Sequence, residues 1–357
     1  MRARIVCLPG DGTGPEVMQE AVRVLTSIAC AFDHSFSFVD EKWGKSALSA
    51  YGTPVSEKTL DSCRAANAVL LGAGQQASGS IPADGVKKDS LTMLQSGLQL
   101  TAGIQICPLP QTAKAQSLTG GANLAIVWTL PEGAADSYLA EEGQAAHDTL
   151  SLTAHQAEEA LHAAFRLARE RHRAMHIVLE PGLPAAGSLW REAARRVGKE
   201  YPDVSLAFLE SDRCASALVR DPGQFDVLLA AAPLRRTLSG ILAGRLAGRG
   251  LSPGVMTGGP GPDVYLPACA DDPALAGRDM VSPIAMILAG ALMLRRSLQL
   301  HNEADCVEMA VRNVLDAGWR TADMVSSGEP KVGTQAIGKL IAEQVDTAGA
   351  IMGGFRR

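Results

Sequence analysis

The chain has 357 residues, enough for two domains or one large α/β unit with an ample core. Its 33 basic and 38 acidic residues leave a net charge of -5, which offers no electrostatic case for nucleic acid or an acidic membrane surface. Hydrophobic residues make up 46% but aromatic ones only 4%, which suits a helix-rich α/β protein and argues against base-stacking platforms.

The N-terminus lacks the layout of a signal peptide. It opens on an apolar stretch, Ala3 to Leu8, that runs into Pro9-Gly10-Asp11-Gly12-Thr13-Gly14-Pro15-Glu16 and then into an amphipathic pattern (Val17, Ala21, Val22, Val24, Leu25). Strand, glycine turn and helix follow from that order. Gly10, Gly12 and Gly14 let the backbone turn tightly, and Pro15 suits a first helical turn. A helix start of this kind favours anions, nucleotide phosphates among them. The spacing is G-x-G-x-G, not the G-x-G-x-x-G dinucleotide fingerprint.

Strand and helix patterns alternate from there on, as a mostly parallel sheet covered by helices requires. Strands are expected at Ser35–Val39, Ala68–Leu71, Leu124–Trp128, His176–Leu179, Val204–Glu210 and Phe225–Leu229. Helices are expected at Ser56–Ala65, with Ser56 as cap, and at Thr153–His172, with Thr153 as cap. Further helices are expected at Leu189–Glu200, Asp212–Val219, Pro283–Leu298, Glu303–Ala317 and Thr334–Val345. Gln75–Lys88 reads as a loop, Pro131–Asp148 as an acidic arm, and Gly248–Pro262, with six glycines and three prolines, as a loop or crossover. Seven cysteines without CxxC pairs read as reduced thiols in a cytoplasmic protein. No HExxH, G-x-S-x-G or P-loop lysine is present, and the longest apolar stretch, Ile284–Leu294, is too short to span a bilayer.

The run Leu8–Glu16 closely resembles the L-P-G-D-G-I-G-P-E-V opening of the isopropylmalate/isocitrate dehydrogenase family, the metal-dependent β-decarboxylating dehydrogenases. Matches continue in order through Ala68–Gly72, His162–Arg171, Leu189-Trp190-Arg191, Tyr201–Val204, Phe225-Asp226-Val227, Ser282–Ala285, Arg320–Asp323 and Val332-Gly333-Thr334. The resemblance implies two α/β subdomains sharing one large mixed sheet. Residues 1–100 and 252–357 would make the first, on the former cofactor side. Residues 101–251 would make the second, with a dimer arm at about 129–150. It also implies a dimer whose active sites draw on both subunits. Gly10, Gly12 and Gly14 would be a remnant of the cofactor turn, with Asp323 a weaker candidate for the same site.

At the positions where the family carries its chemistry, the chain departs from it. Of three metal-binding aspartates, Asp212 remains, while Arg236 and Gly240 stand in place of the other two. A hard cation needs carboxylate oxygens, and one carboxylate facing a guanidinium does not hold it. The acid/base lysine falls on Glu180 and the tyrosine near Ala135, with Tyr138 three residues on as a substitute after a loop shift. The three arginines that grip substrate carboxylates fall on Gln95, Gln105 and Trp128, and glutamine lacks the charged bidentate fork. The cofactor loop reads Leu266–Gly277 without its histidine and its ribose-binding aspartate.

These departures lead to the expectation of a pseudoenzyme. Such a protein would have lost the parent oxidative decarboxylation, hold no metal or nicotinamide cofactor, and act as a binding, regulatory or partner subunit. It would be a homodimer, or pair with an active paralogue, and could keep a small-molecule ligand in the old cleft. The alternative is an active NAD(P)-dependent oxidoreductase of altered substrate specificity acting on a 2-hydroxy acid. That enzyme would use NAD(P) and Mg²⁺ or Mn²⁺, with Tyr138, Glu180, Asp212 or Cys269 in a new arrangement. Neither reading involves nucleic acid or a membrane.

Overall fold

The computed structural model describes residues 1–72, 90–108, 123–130, 136–140, 145–245, 251–268, 273–324 and 331–354. The loop expected at Gln75–Lys88 lies outside them, as do Ala135 and Cys269.

Arg2–Leu8 forms β1, and its side chains alternate between two cores: Ile5 and Cys7 join one, Val6 and Leu8 the other. The chain then turns through Gly10 (φ 79°) and Gly12 (φ 61°) into α1, Gly14–Ala31. Val17, Ala21, Val24, Leu25 and Ile28 form the buried face of that helix. After β2 (Ser35–Asp40) and α2 (Lys45–Tyr51), α3 (Glu57–Arg64) is capped by Ser56, whose Oγ accepts from the Thr59 amide. The next strand, β3 (Ala68–Leu71), ends at Gly72, where a Cβ would lie 2.2 Å from the Pro9 carbonyl oxygen. Only glycine lets these two chain segments approach so closely.

The middle of the chain supplies α4 (Ser90–Gly97), β4 (Ala102–Pro108) and β5 (Asn123–Thr129), then the hairpin β6 (Asp136–Ala140) and β7 (Ala145–Thr149). The acidic arm is thus built partly from paired strands. Helix α5 (Ala154–Arg169) opens with a full capping box between Thr153 and Gln156. There follow β8 (Ala174–Leu179), α6 (Pro184–Val197), β9 (Ser205–Glu210), α7 (Ser211–Arg220), β10 (Val227–Ala230) and α8 (Ala232–Arg245). The chain closes with β11 (Pro253–Thr257), β12 (Val264–Pro267), α9 (Ile284–Arg296), α10 (His301–Asp316) and α11 (Thr334–Gly354).

Ten described strands form one mixed sheet in the order β2-β1-β3-β12-β11-β4-β5-β10-β8-β9. The outer pairs are parallel; β11 runs antiparallel to β12 and β4, and β4 antiparallel to β5. The two ends of the chain therefore make one half of the sheet and its middle the other, with β11 and β4 as the seam. Helices cover both faces. Helices α1, α5, α6, α9, α10 and α11 pack on one, and α3, α4, α7 and α8 on the other. Among the described residues no helix is long and apolar enough to cross a membrane.

The run Gly248–Pro262, expected as a loop, contains buried strand β11. Its glycine content reflects packing: a Cβ on Gly254 would lie 3.3 Å from both Ala268 Cβ and the Ile104 carbonyl oxygen.

Burial pushes the thiols of Cys7, Cys63, Cys107 and Cys214 up to about 12 from an ordinary 9.0. The unfolded chain releases these protons first, so their contribution to stability is complete below pH 9.0 and lost as pH climbs to about 12. Iodoacetamide at about pH 8 should leave all four unmodified in the native protein and modify them in urea, because only a thiolate reacts. Native-state labelling of any of them would contradict their burial.

Candidate active site

The glycine corner is held from two sides. Asp11 Oδ2 accepts from the Lys45 amide at 2.9 Å, and Gly44, at φ 73°, leaves room for that carboxylate. Gly14 N donates to the Asp11 carbonyl at 3.0 Å as α1 begins. From the first turn of α1, Glu16 Oε1 accepts from the Gly277 amide at 3.2 Å, tying Gly277 to the helix that follows the corner. Asp323 has a different setting. Its Oδ2 accepts from the Ser282 amide at 3.0 Å and its Oδ1 from Thr321 Oγ1 at 2.6 Å.

Across the seam of the sheet the three positions aligned with arginines come together on one face. In β4, Gly103 pairs with Trp128 of β5 on one side and Met256 of β11 on the other. A Cβ on Gly103 would lie 2.2 Å from Trp128 Cε2 and Cζ2, so the indole packs directly against a bare backbone. Trp128 is 2% exposed, and the Arg235 guanidinium of α8 stacks 4.3 Å from the ring centre. One turn along α8, Ser239 Oγ donates to Gln105 Oε1 at 2.6 Å. Gln95 of α4, 1% exposed, donates through Nε2 to Met256 Sδ at 3.4 Å. The floor thus runs Gln95, Met256, Gly103, Trp128, Arg235, with Gln105 and Ser239 in the next row. Trp128 Nε1 and Gln95 Oε1 are buried within it without a hydrogen-bond partner.

The carboxylates sit elsewhere on this chain. Glu180, just past β8, accepts on Oε2 from Ser211 Oγ at 2.8 Å. Asp212, in the first turn of α7, accepts on Oδ1 from the Arg213 amide at 2.7 Å and is exposed. Arg236 and Gly240 are exposed on α8, and open space surrounds the Cβ direction of Gly240. Tyr138 lies in β6 opposite His147. Among the described residues no group of three or more His, Cys, Asp or Glu could hold a metal ion. Arg236 and Gly240 supply no oxygen donor, so the donor set does not fit the divalent cation that the fold implies.

Arg235, Ser239 and Ser211 match no motif residue of the family and stand out only in the fold. A usable signal was there: Arg235 and Ser239 stand at i, i+4, and a glycine in strand β4 marks a close approach.

Residues 4–341 match the family described as isocitrate/isopropylmalate dehydrogenase. The chain belongs to that family. It is 34% identical to a 3-isopropylmalate dehydrogenase of Gloeobacter violaceus, over 97% of this chain and 99% of the relative. It is 35% identical to one of Pseudomonas fluorescens, over 96% and 98%. Among solved structures, isocitrate dehydrogenase from Methylococcus capsulatus superposes with a TM-score of 0.84 at 27% identity, over 96% of this chain and 99% of that one.

This family membership corrects the pseudoenzyme expectation. Full-length relatives at this identity are named as dehydrogenases, so the protein groups with enzymes and not with non-catalytic binding, regulatory or partner subunits. The physical reason for the misreading lies in the floor. At the positions without the arginines, the buried replacements make contacts of their own, Ser239 with Gln105 and Arg235 with Trp128. Substitution of that kind changes what a site binds without implying decay.

Gly103→Ala should force the indole off the strand and cost about 1–3 kcal/mol, the usual range for overpacking a core. A urea-unfolding midpoint equal to that of the unaltered protein would contradict the placement of Trp128.

Proposed function

We propose that the protein is an NAD(P)-dependent dehydrogenase acting on a 2-hydroxy acid, with a substrate specificity different from the one its relatives' names specify. The observation that carries this reading is end-to-end kinship with dehydrogenases combined with altered contacts at the three positions aligned with arginines. We also propose a cytoplasmic homodimer, with residues 1–100 and 252–357 on the cofactor side and 101–251 on the substrate side.

The residues of the glycine corner suit a nicotinamide cofactor. The positive end of α1 follows Gly10 and Gly12, and the Glu16–Gly277 bond holds Gly277 beside it. A nicotinamide cofactor held there would supply the hydride acceptor for oxidation at C2 of the substrate. Glu180 stands where the family has its lysine. We assign it to take the hydroxyl proton, so that the hydroxy acid becomes a 2-oxo acid; Ser211 fixes the orientation of its carboxylate. In the proposed dimer Glu180 and Asp212 of one protomer would face α8 of the other. No step is assigned to a metal, since Arg236 and Gly240 stand where two of the family's three metal-binding aspartates would be.

The test is NAD(P)H formation, followed by absorbance with NAD⁺ and NADP⁺ over a panel of 2-hydroxy acids that includes 3-isopropylmalate. Turnover of another member of the panel, persisting in EDTA, is expected. Glu180→Gln should lower kcat by about 100-fold or more, the usual scale for removing a general base. Absence of turnover on every acid with either cofactor would reject the proposal.

A further inference from the structure

We propose that Asp279 is a positioning residue for the cofactor site: its carboxylate, seated on the start of α11, holds the strap Gly277–Ser282 in place beside the first turn of α1. The inference rests on the dehydrogenase reading above and gives its cofactor site a supporting contact from outside the glycine corner.

The strap is tied at both ends. At its start Gly277 (φ 69°) donates its amide to Glu16 of α1. At its end the Ser282 amide donates to Asp323 Oδ2 at 3.0 Å. Thr334 Oγ1 accepts from the Val281 amide at 3.1 Å and donates to the Val281 carbonyl at 2.7 Å. Ser282 and Thr334 are buried, whereas Gly277, Arg278, Asp279 and Met280 are exposed. An exposed stretch between two anchors keeps one shape only if a contact offsets the entropy of ordering it.

Asp279 supplies that contact. It stands at φ 54°, a left-handed conformation that a residue with a Cβ keeps where its surroundings over-determine it. Its Oδ1 accepts from the Gln335 amide at 2.9 Å, and its carbonyl accepts from the Thr334 amide at 3.3 Å. These are amides that the first turn of a helix leaves without partners, and α11 has no acidic residue in its own first turn. The negative charge that suits a helix start comes instead from the strap, 56 positions before Gln335. Gly333 completes the seat: a Cβ there would lie 1.9 Å from Asp279 Oδ2, so a side chain at that position and the carboxylate exclude each other. Release of this contact would free Arg278–Met280 from α11 while Glu16 still holds Gly277, and the wall beside α1 would lose its shape without loss of the fold.

The experiment uses Asp279→Ala, Asp279→Asn and Gly333→Ala in the full chain, with two readouts. Titration with NADH and NADPH, followed by nicotinamide fluorescence, gives the cofactor Kd. Limited trypsin digestion without cofactor gives the rate of cleavage after Arg278, inside the strap. Gly333→Ala leaves the cleaved sequence intact and displaces the carboxylate from the opposite side. Asp279→Ala and Gly333→Ala should each raise the Kd of the preferred cofactor by about tenfold, the scale of one lost hydrogen bond to a charged group. Cleavage of Gly333→Ala after Arg278 should speed up by a similar factor. Asp279→Asn keeps an acceptor and tolerates the left-handed conformation, so it should recover most of the affinity. In turnover, KM for the cofactor should rise with its Kd while KM for the acid stays the same. An unchanged Kd in Asp279→Ala and Gly333→Ala, unchanged cleavage of Gly333→Ala, or an Asp279→Asn as weak as Asp279→Ala would overturn the inference and leave the dehydrogenase reading standing. If the unaltered protein binds neither NADH nor NADPH, both fall.

Discussion

The contact on which the site depends is the indole of Trp128 lying on Gly103. The antiparallel seam of β4 and β5 sets these two residues opposite each other, and glycine leaves no Cβ between ring and backbone. The ring packed against the sheet in this way also meets α8, where the Arg235 guanidinium lies over it. The next turn of α8 is pinned to β4 by the Ser239–Gln105 bond. One glycine thereby fixes where a guanidinium stands, through a chain of direct contacts.

The rest of the fold places that contact and the glycine corner in one sheet. Parallel strands at either end of the sheet place the β1–α1 turn in one half and the β10–α8 turn in the other. The seam of β11 and β4 joins the halves, so residues distant in sequence, such as Met256 and Gln95, meet there. Close approaches without Cβ atoms, at Gly72, Gly103 and Gly254, hold this geometry at the points where side chains would separate the segments.

Much of this was legible in the sequence. The opening strand, turn and helix, the capped helices after Ser56 and Thr153, and the mixed α/β class follow from apolar spacing and cap chemistry. Strand β11 was hidden because glycine and proline ordinarily mark turns, whereas here Gly254 serves packing in a buried strand. For the site, the positions Gln95, Gln105 and Trp128 could be found by resemblance, but their meaning could not. Whether a substituted residue is a loss or a new contact depends on partners more than 100 positions away, as with Gln105 and Ser239. Arg236 falls at the metal-ligand position, yet it is Arg235 beside it that lies over Trp128, and spacing along the chain does not reveal which of the two faces the sheet.

The most direct measurement of the central claim is a double-mutant cycle on Arg235→Met and Trp128→Leu, read as urea-unfolding free energies. If the guanidinium and the indole form one unit, the two changes should be non-additive, with a coupling of about 0.5–2 kcal/mol. Additivity within about 0.3 kcal/mol, the ordinary behaviour of independent sites, would show that Arg235 does not depend on the ring and would contradict the account.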